Sequence, residues 1–401
     1  MALRRQLHLA AALDGAGWHP AAWREPDAVP AARLFTAGCW LDQVRLAQSG
    51  LLDFVTVEDG FTVQSTSWQG PDERTDLVRG RLDAALIAAR VAPATEHIGL
   101  VPTVTTTHTE PFHVSKTLAT LDYASTGRAG WRVQVGGRGG EAGLFGRREI
   151  PAFGPGDLDE PEIRGLIAGL FGEAADHVEA VRRLWDSWED DAEIRDAATG
   201  RFVDRDKLHY IDFAGSRFRV RGPSITPRPP QGQPPVVALA HATLAYEFAA
   251  RSADVVLTTP SGPAAIAPVL KEIRAAQSAA KREDEPLLVF ADLVVFLDES
   301  DASAAARKDR LDQLVGAEYR SDAHVFTGTA AGLADLLVAG SEAGLDGFRL
   351  RPAAVPHDLA AISRDLVPEL QRRGVFRHGY EHDTLRGLLG FNRPANRYAA
   401  A

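Results

Sequence analysis

A single cysteine, Cys39, occurs in 401 residues. It excludes an intrachain disulfide and points to a reducing compartment. There is no Lys/Arg-rich block, and the net charge of −10 argues against nucleic acid as a partner. No apolar run approaches the roughly 18 residues of a membrane span. The start, MALRRQLHLAAALDG, has a basic end and a short apolar run like a signal peptide, but no clear small-residue cleavage site. It reads instead as a first strand, Leu7 to Leu13. The expectation is a cytoplasmic protein without nucleic-acid or membrane partners. Nor is there a G-x-S-x-G, a P-loop or a cysteine-based zinc pattern. His378 and His382 stand four apart, with Glu381 and Asp383 nearby. They lack the H-E-x-x-H pattern and Gly379 weakens any helix there, so no metal is expected.

What is present is an alternation. Apolar, β-branched runs at Phe54–Val57, Ile98–Val104, Trp131–Val135, Val236–Leu239, Val255–Thr258, Leu287–Phe296 and Gly347–Leu350 read as strands after the first. Helical patterns fall between them, at about 35–49, 81–94, 111–123, 166–188, 243–251, 263–281, 300–318 and 329–343, with a last one at 356–373. Eight strands alternating with helices argue for an α/β (β/α)8 TIM barrel rather than a Rossmann sheet. The chain then reads as one barrel domain, 1–401. Insertions at about 136–165 and 189–234 lie after strand 4 and before strand 5, and a tail covers 375–401.

In such a barrel ligands bind where the strands end. Glu58 and Asp59 end the second strand; Thr105, Thr106 and Thr107 end the third, followed by His108. Gly137-Arg138-Gly139-Gly140-Glu141-Ala142 fits the loose dinucleotide pattern G-x-G-x-x-G/A after a strand. That pattern needs a helix next, and Gly143, Pro151 and Pro155 argue for a loop; such a loop can still form a backbone nest for phosphate.

The segment IGLVPTVTTTHTEPF…TLDYASTGRAGWRVQVG resembles the bacterial luciferase-like flavin monooxygenase superfamily. It looks most like the branch of nitrilotriacetate monooxygenase, pristinamycin synthase A and dibenzothiophene-sulfone monooxygenase. VEDG at 57–60, LWDSWEDDA at 184–192, FRVRGPSITPRPPQGQPP at 218–235 and the ending LVPELQRRGVFRHGYEHDTLRGLLGFNRP extend the likeness over nearly the whole chain. The resemblance implies a TIM barrel, a homodimer or homotetramer, reduced FMN from a separate flavin reductase, and O2 used to oxidise a small organic substrate.

It also implies site residues. Asp59, Thr103, Thr105 and Thr106 would touch the flavin ring or ribityl chain, beside Gln134-Val135-Gly136. Arg132 stands where the family has an oxygen-pocket Asn; it is a catalytic candidate together with Thr105 of the threonine-rich strand end and His108, which flanks the rim loop as an acid/base candidate. The family's phosphate-binding Tyr falls at Phe171 and its phosphate-binding serines at His241-Ala242. A following Arg is Tyr246. Lost hydroxyls at a dianion site leave an alternative open: a barrel without family-type FMN binding, acting as a flavin-independent enzyme, non-catalytic subunit or binding protein. A deazaflavin-dependent hydride transferase is a third reading.

Overall fold

The computed structural model describes residues 6–65 and 72–399. The basic start of the chain and residues 66–71 of the loop expected at 61–80 lie outside the described residues.

Eight parallel strands close on one another: β1 His8–Leu13, β2 Phe54–Val57, β3 Gly99–Thr105, β4 Trp131–Gln134, β5 Val236–Leu239, β6 Val255–Thr258, β7 Leu288–Leu297 and β8 Gly347–Pro352. Ala10 pairs with Phe54 at the β1–β2 seam, and His8 with Gly347 where β8 closes the ring. The expected (β/α)8 barrel is the fold observed. Helices α1 Ala37–Ser49, α2 Ala84–Val91, α3 Pro111–Ala124, α4 Gly139–Phe145, α5 Pro161–Asp186, α6 Thr243–Ser252, α7 Pro263–Ala279, α8 Asp301–Val315 and α9 Ala330–Glu342 lie between strands. Their buried faces and the outward strand residues make the main apolar core.

Strand residues alternate between the lumen and the helical layer. The lower lumen is apolar: Ala10, Phe54, Val101, Val237, Leu257 and Phe290. Leu385, Leu389 and Phe391 from the C-terminal segment join this cluster and plug that end. Arg377 of the same segment pairs with the fully buried Asp53, and Tyr380 donates to the Leu52 carbonyl at 2.9 Å. The motif-rich ending is therefore a plug on the N-terminal side of the barrel, and the open rim lies opposite.

Four expectations need correction. The stretch 136–165 is not one long loop: α4 forms at its start, and α5 begins at Pro161 rather than at 166. A strand at His324–Gly328, unforeseen, pairs with the upper half of β7. Residues 189–234 hold two short hairpins, Glu193–Asp196 with Arg201–Val203 and Phe213–Ala214 with Arg219–Val220. The helix expected at 356–373 is interrupted by a π-helical turn at Ile362–Leu366.

One buried carboxyl ties the barrel to the proline-rich connector. Asp122 on α3 accepts from the Gln231 backbone at 3.0 Å, from Gln231 Nε2 at 2.6 Å and from the Ala129 backbone at 3.2 Å. Burial nevertheless pushes it up to about 6, against those hydrogen bonds. An unfolded Asp titrates near 4, so the unfolded chain loses this proton first. The contribution is present below pH ~4 and is lost as pH rises through about 6, by roughly 3 kcal/mol in total. In urea melts across pH 4–7, the stability gap between wild type and Asp122→Asn changes by about that amount, with wild type favoured at the acid end. A gap independent of pH would count against it.

Candidate active site

Above the apolar layer the lumen becomes ionic. Period-two positions on β2, β3, β4, β7 and β8 put Thr56, Glu58, Thr103, Arg132, Asp292, Arg349 and Arg351 inside. Arg349 donates from Nε to Asp292 at 2.9 Å, and from Nη1 to Thr56 at 3.0 Å and to Glu58 at 3.1 Å. Glu58 then meets Arg132 at 3.0 Å, and Arg132 donates to Thr103 at 2.9 Å and Gln134 at 3.3 Å. Arg351 bonds Asp292 at 2.9 Å and Asp322 at 2.6 Å, and its guanidinium lies 4.5 Å from the Trp18 ring centroid. Burial alone would raise Glu58 and Asp292; the facing guanidinium groups outweigh it and hold both carboxyls below their usual range. Arg132 is thus a fixed cation at the top of the lumen, and its Nε has no hydrogen-bond partner.

The remaining residues expected at the site fall on this rim in different ways. Asp59 accepts from the Gly60 backbone at 2.7 Å and the Ala84 backbone at 2.8 Å, so it pins the start of α2 to the end of β2. Burial pushes its carboxyl up despite those bonds. Thr105 is buried at the end of β3. Thr106 donates to the Gln134 carbonyl at 3.1 Å, and Thr107 accepts from the Gly136 backbone at 3.0 Å. These contacts lace the ends of β3 and β4 together. Arg81, bonded to Asp14 at 3.0 Å, comes close to Gly60: a Cβ there would stand 3.6 Å from its Nη1 and 4.0 Å from Gln134 Nε2.

His108 has a left-handed backbone, φ 71°, and stacks on Phe145. Burial, then Arg148, lowers its pKa, so the ring is neutral near pH 7. Val135 packs with Leu170, Ile150 and Phe153. Phe171 packs on Phe248 of α6, ring centroids 5.7 Å apart. His241 and Ala242 are exposed where α6 begins, and Ala242, the cap residue, makes no side-chain capping bond. Burial would raise the Asp322 carboxyl, but Arg351 outweighs it and holds the group low, with Ser321 and then the nearby His241 adding to that effect. Tyr246 is buried and bonds Thr258 at 3.3 Å.

The sequence reading missed Asp292, Arg349, Arg351 and Glu141 as site residues. The signal for the arginines was present: Arg349 and Arg351 stand two apart in GFRLRP, hence on one strand face. Among the described residues, no group of three or more His, Cys, Asp or Glu is placed to hold a metal. No helix of the described residues is long and apolar enough to cross a membrane.

Comparisons with known proteins agree with this architecture. Component A of nitrilotriacetate monooxygenase from Aminobacter aminovorans is 29% identical, over 100% of this chain and 99% of that protein. The EDTA monooxygenase of Chelativorans sp. BNC1 superimposes with a TM-score of 0.81 at 22% identity, covering 97% of this chain and 99% of its own. A riboflavin lyase solved with modified FMN and riboflavin superimposes with a TM-score of 0.82 at 24% identity, each chain covered to 98%. The model of the luciferase-like monooxygenases matches residues 18–363, and the chain belongs to that family.

Proposed function

We propose that this chain is the oxygenating half of a two-component system. It takes reduced FMN from a separate flavin reductase and uses O2 to oxidise a small organic substrate, as a homodimer or homotetramer. The observation that carries the reading is the start of α6. This helix opens at the barrel rim on a residue that cannot cap it, so no side chain claims its first N–H groups. A helix N-terminus in that state suits a phosphate. The backbone at Ala242 and Thr243 would hold the FMN phosphate there, with His241 beside it, in place of the hydroxyls the sequence lacks; the Thr243 hydroxyl is already given to Glu272 at 2.6 Å. The residues present therefore fit the group. That the nitrilotriacetate relative is a "component A" supports a partner reductase. The riboflavin lyase, solved with modified FMN, supports the flavin.

When bound, reduced FMN supplies the two electrons that divide O2 between product and water. The chain does the rest. Asp59, Thr105, Thr106, Gln134 and the Val135-Gly136 backbone line the place for ring and ribityl chain, with Thr103 below. Arg132, held by Glu58 and Thr103, offers Nε to negative charge that develops on oxygen; a fixed donor of this kind needs no reorganisation. His108, neutral and buried, is an acid/base candidate. Val135, packed with Leu170 and Phe153, keeps water from the reacting atoms, and Phe171, packed on Phe248 of α6, lies toward the phosphate end.

The test supplies FMN, NADH, a flavin reductase and ¹⁸O2 to the chain, with a library of small sulfur-, nitrogen- and ring-bearing compounds. The expected product carries one ¹⁸O atom, with one NADH consumed per product. NADH oxidation that yields only hydrogen peroxide across the library, with reduced FMN demonstrably bound, would contradict the oxygenase reading.

A further inference from the structure

His108 and Glu141 are each only 6% exposed, yet neither ring nitrogen of His108 nor Oε2 of Glu141 has a hydrogen-bond partner. Folded chains rarely keep buried polar atoms in that condition, because they give up water and gain nothing. Here two such groups share one corner of the rim. Glu141 and Phe145 lie four residues apart on one face of α4. The Phe145 ring lies flat on the His108 ring, centroids 4.9 Å apart and 8° between planes, and Phe61 meets Phe145 edge-on at 4.7 Å. The carboxyl of Glu141 fills the space that a side chain on Gly136 would take: a Cβ there would stand 2.6 Å from Oε2. That same point is 3.3 Å from Thr105 and 3.5 Å from Thr107.

Charges of both signs surround the corner. Burial pushes the Glu141 carboxyl up, with Arg138 pulling the other way, and it lowers His108, with Arg148 and Arg147 adding to the effect and Glu173 opposing it. Three arginines around the corner are already matched: Arg148 with Glu173 at 2.6 Å, Arg147 with Glu110 at 2.8 Å and Arg132 with Glu58 at 3.0 Å.

We infer that His108 and Glu141 are specificity-determining residues of the substrate pocket, and that its substrate is an uncharged ring compound bearing an acceptor oxygen, such as a sulfone or a ketone. The inference rests on the monooxygenase reading above. The substrate ring displaces Phe145 from His108 and packs beside Phe61, an arrangement that aromatic rings favour. Its oxygen accepts from the imidazole N–H and from the Glu141 carboxyl in the protonated form that burial favours. A polycarboxylate would lose its hydration without an unmatched arginine among these three to meet it.

Calorimetric titration of the full chain with diphenyl sulfone and with iminodiacetate tests this. Diphenyl sulfone is expected to bind more tightly, on the order of tenfold or more. Glu141→Leu weakens it by about tenfold, whereas Glu141→Gln, which keeps a donor, stays within about threefold. Gly136→Ser, which forces the carboxyl out of its niche, matches the Glu141→Leu loss. Thermal melts check folding, and His108→Asn takes the place of any variant that does not fold. Equal or tighter binding of iminodiacetate, binding of neither probe, or Glu141→Leu affinity equal to wild type would overturn the proposal. Reduced FMN is titrated on the same preparations: loss of flavin binding with the sulfone preference intact sinks the flavin reading and leaves this one standing.

Discussion

Asp292→Leu lowers the stability of the folded chain by on the order of 3–5 kcal/mol. Asp292 sits mid-strand in β7, fully buried, and faces two arginines, Arg349 and Arg351. Without it two guanidinium groups remain in the lumen with only Glu58 and Asp322 to answer them. An arginine side chain stays charged at accessible pH, so it cannot escape the cost by losing a proton. The contrast is a triple replacement, Asp292→Leu with Arg349→Met and Arg351→Met. Buried ion pairs repay little of their desolvation, and exchanging the whole cluster for apolar groups of similar volume is often neutral. The triple variant is therefore expected to be more stable than the single one. Urea melts of both variants check this. A single variant as stable as wild type would mean that the ionic layer does not hold the arrangement described.

Ala242→Asp moves two measurements in opposite directions. Asp at the cap of α6 accepts from the first N–H groups of the helix, and its charge suits the positive end of the helix dipole. The flavin-free chain gains about 1 kcal/mol. The same carboxylate occupies the donors assigned to the phosphate and repels it, so affinity for reduced FMN falls on the order of 100-fold. Differential scanning calorimetry reads the first effect and anaerobic titration the second. Greater stability with unchanged flavin affinity would place the phosphate somewhere other than α6.

Most of the barrel was legible because its strands are short apolar runs with Gly, Pro or polar breaks between them. The misses have physical reasons. Helix α4 carries Gly139, Gly140 and Gly143, and Gly146 ends it; the interior glycines each cost about 1 kcal/mol of helix propensity. It forms because Ala142 packs into the apolar cluster of Ile150 and Leu170, with Val135 at the end of β4, and packing overrides propensity. The strand His324–Gly328 is half-buried and pairs only with the upper half of β7, so it lacks the fully apolar signature of its neighbours. Arg132 was legible only as a departure from a family motif. Its partner Glu58 comes from a strand 74 positions away in the chain, a contact that no local pattern carries. Glu141 was read as one letter of a glycine-rich pattern; its isolation in a buried corner is a property of the fold alone.

The most direct measurement is an anaerobic calorimetric titration of the chain with reduced FMN and, in parallel, reduced riboflavin. Saturable micromolar binding of reduced FMN is expected, weakened by Asp59→Ala, with riboflavin on the order of 100-fold weaker because it lacks the phosphate that α6 holds. No binding of reduced FMN at high micromolar concentration would contradict the assignment of this barrel as a flavin-using oxygenase. Equal affinity for the two flavins would contradict the phosphate site on which that assignment stands.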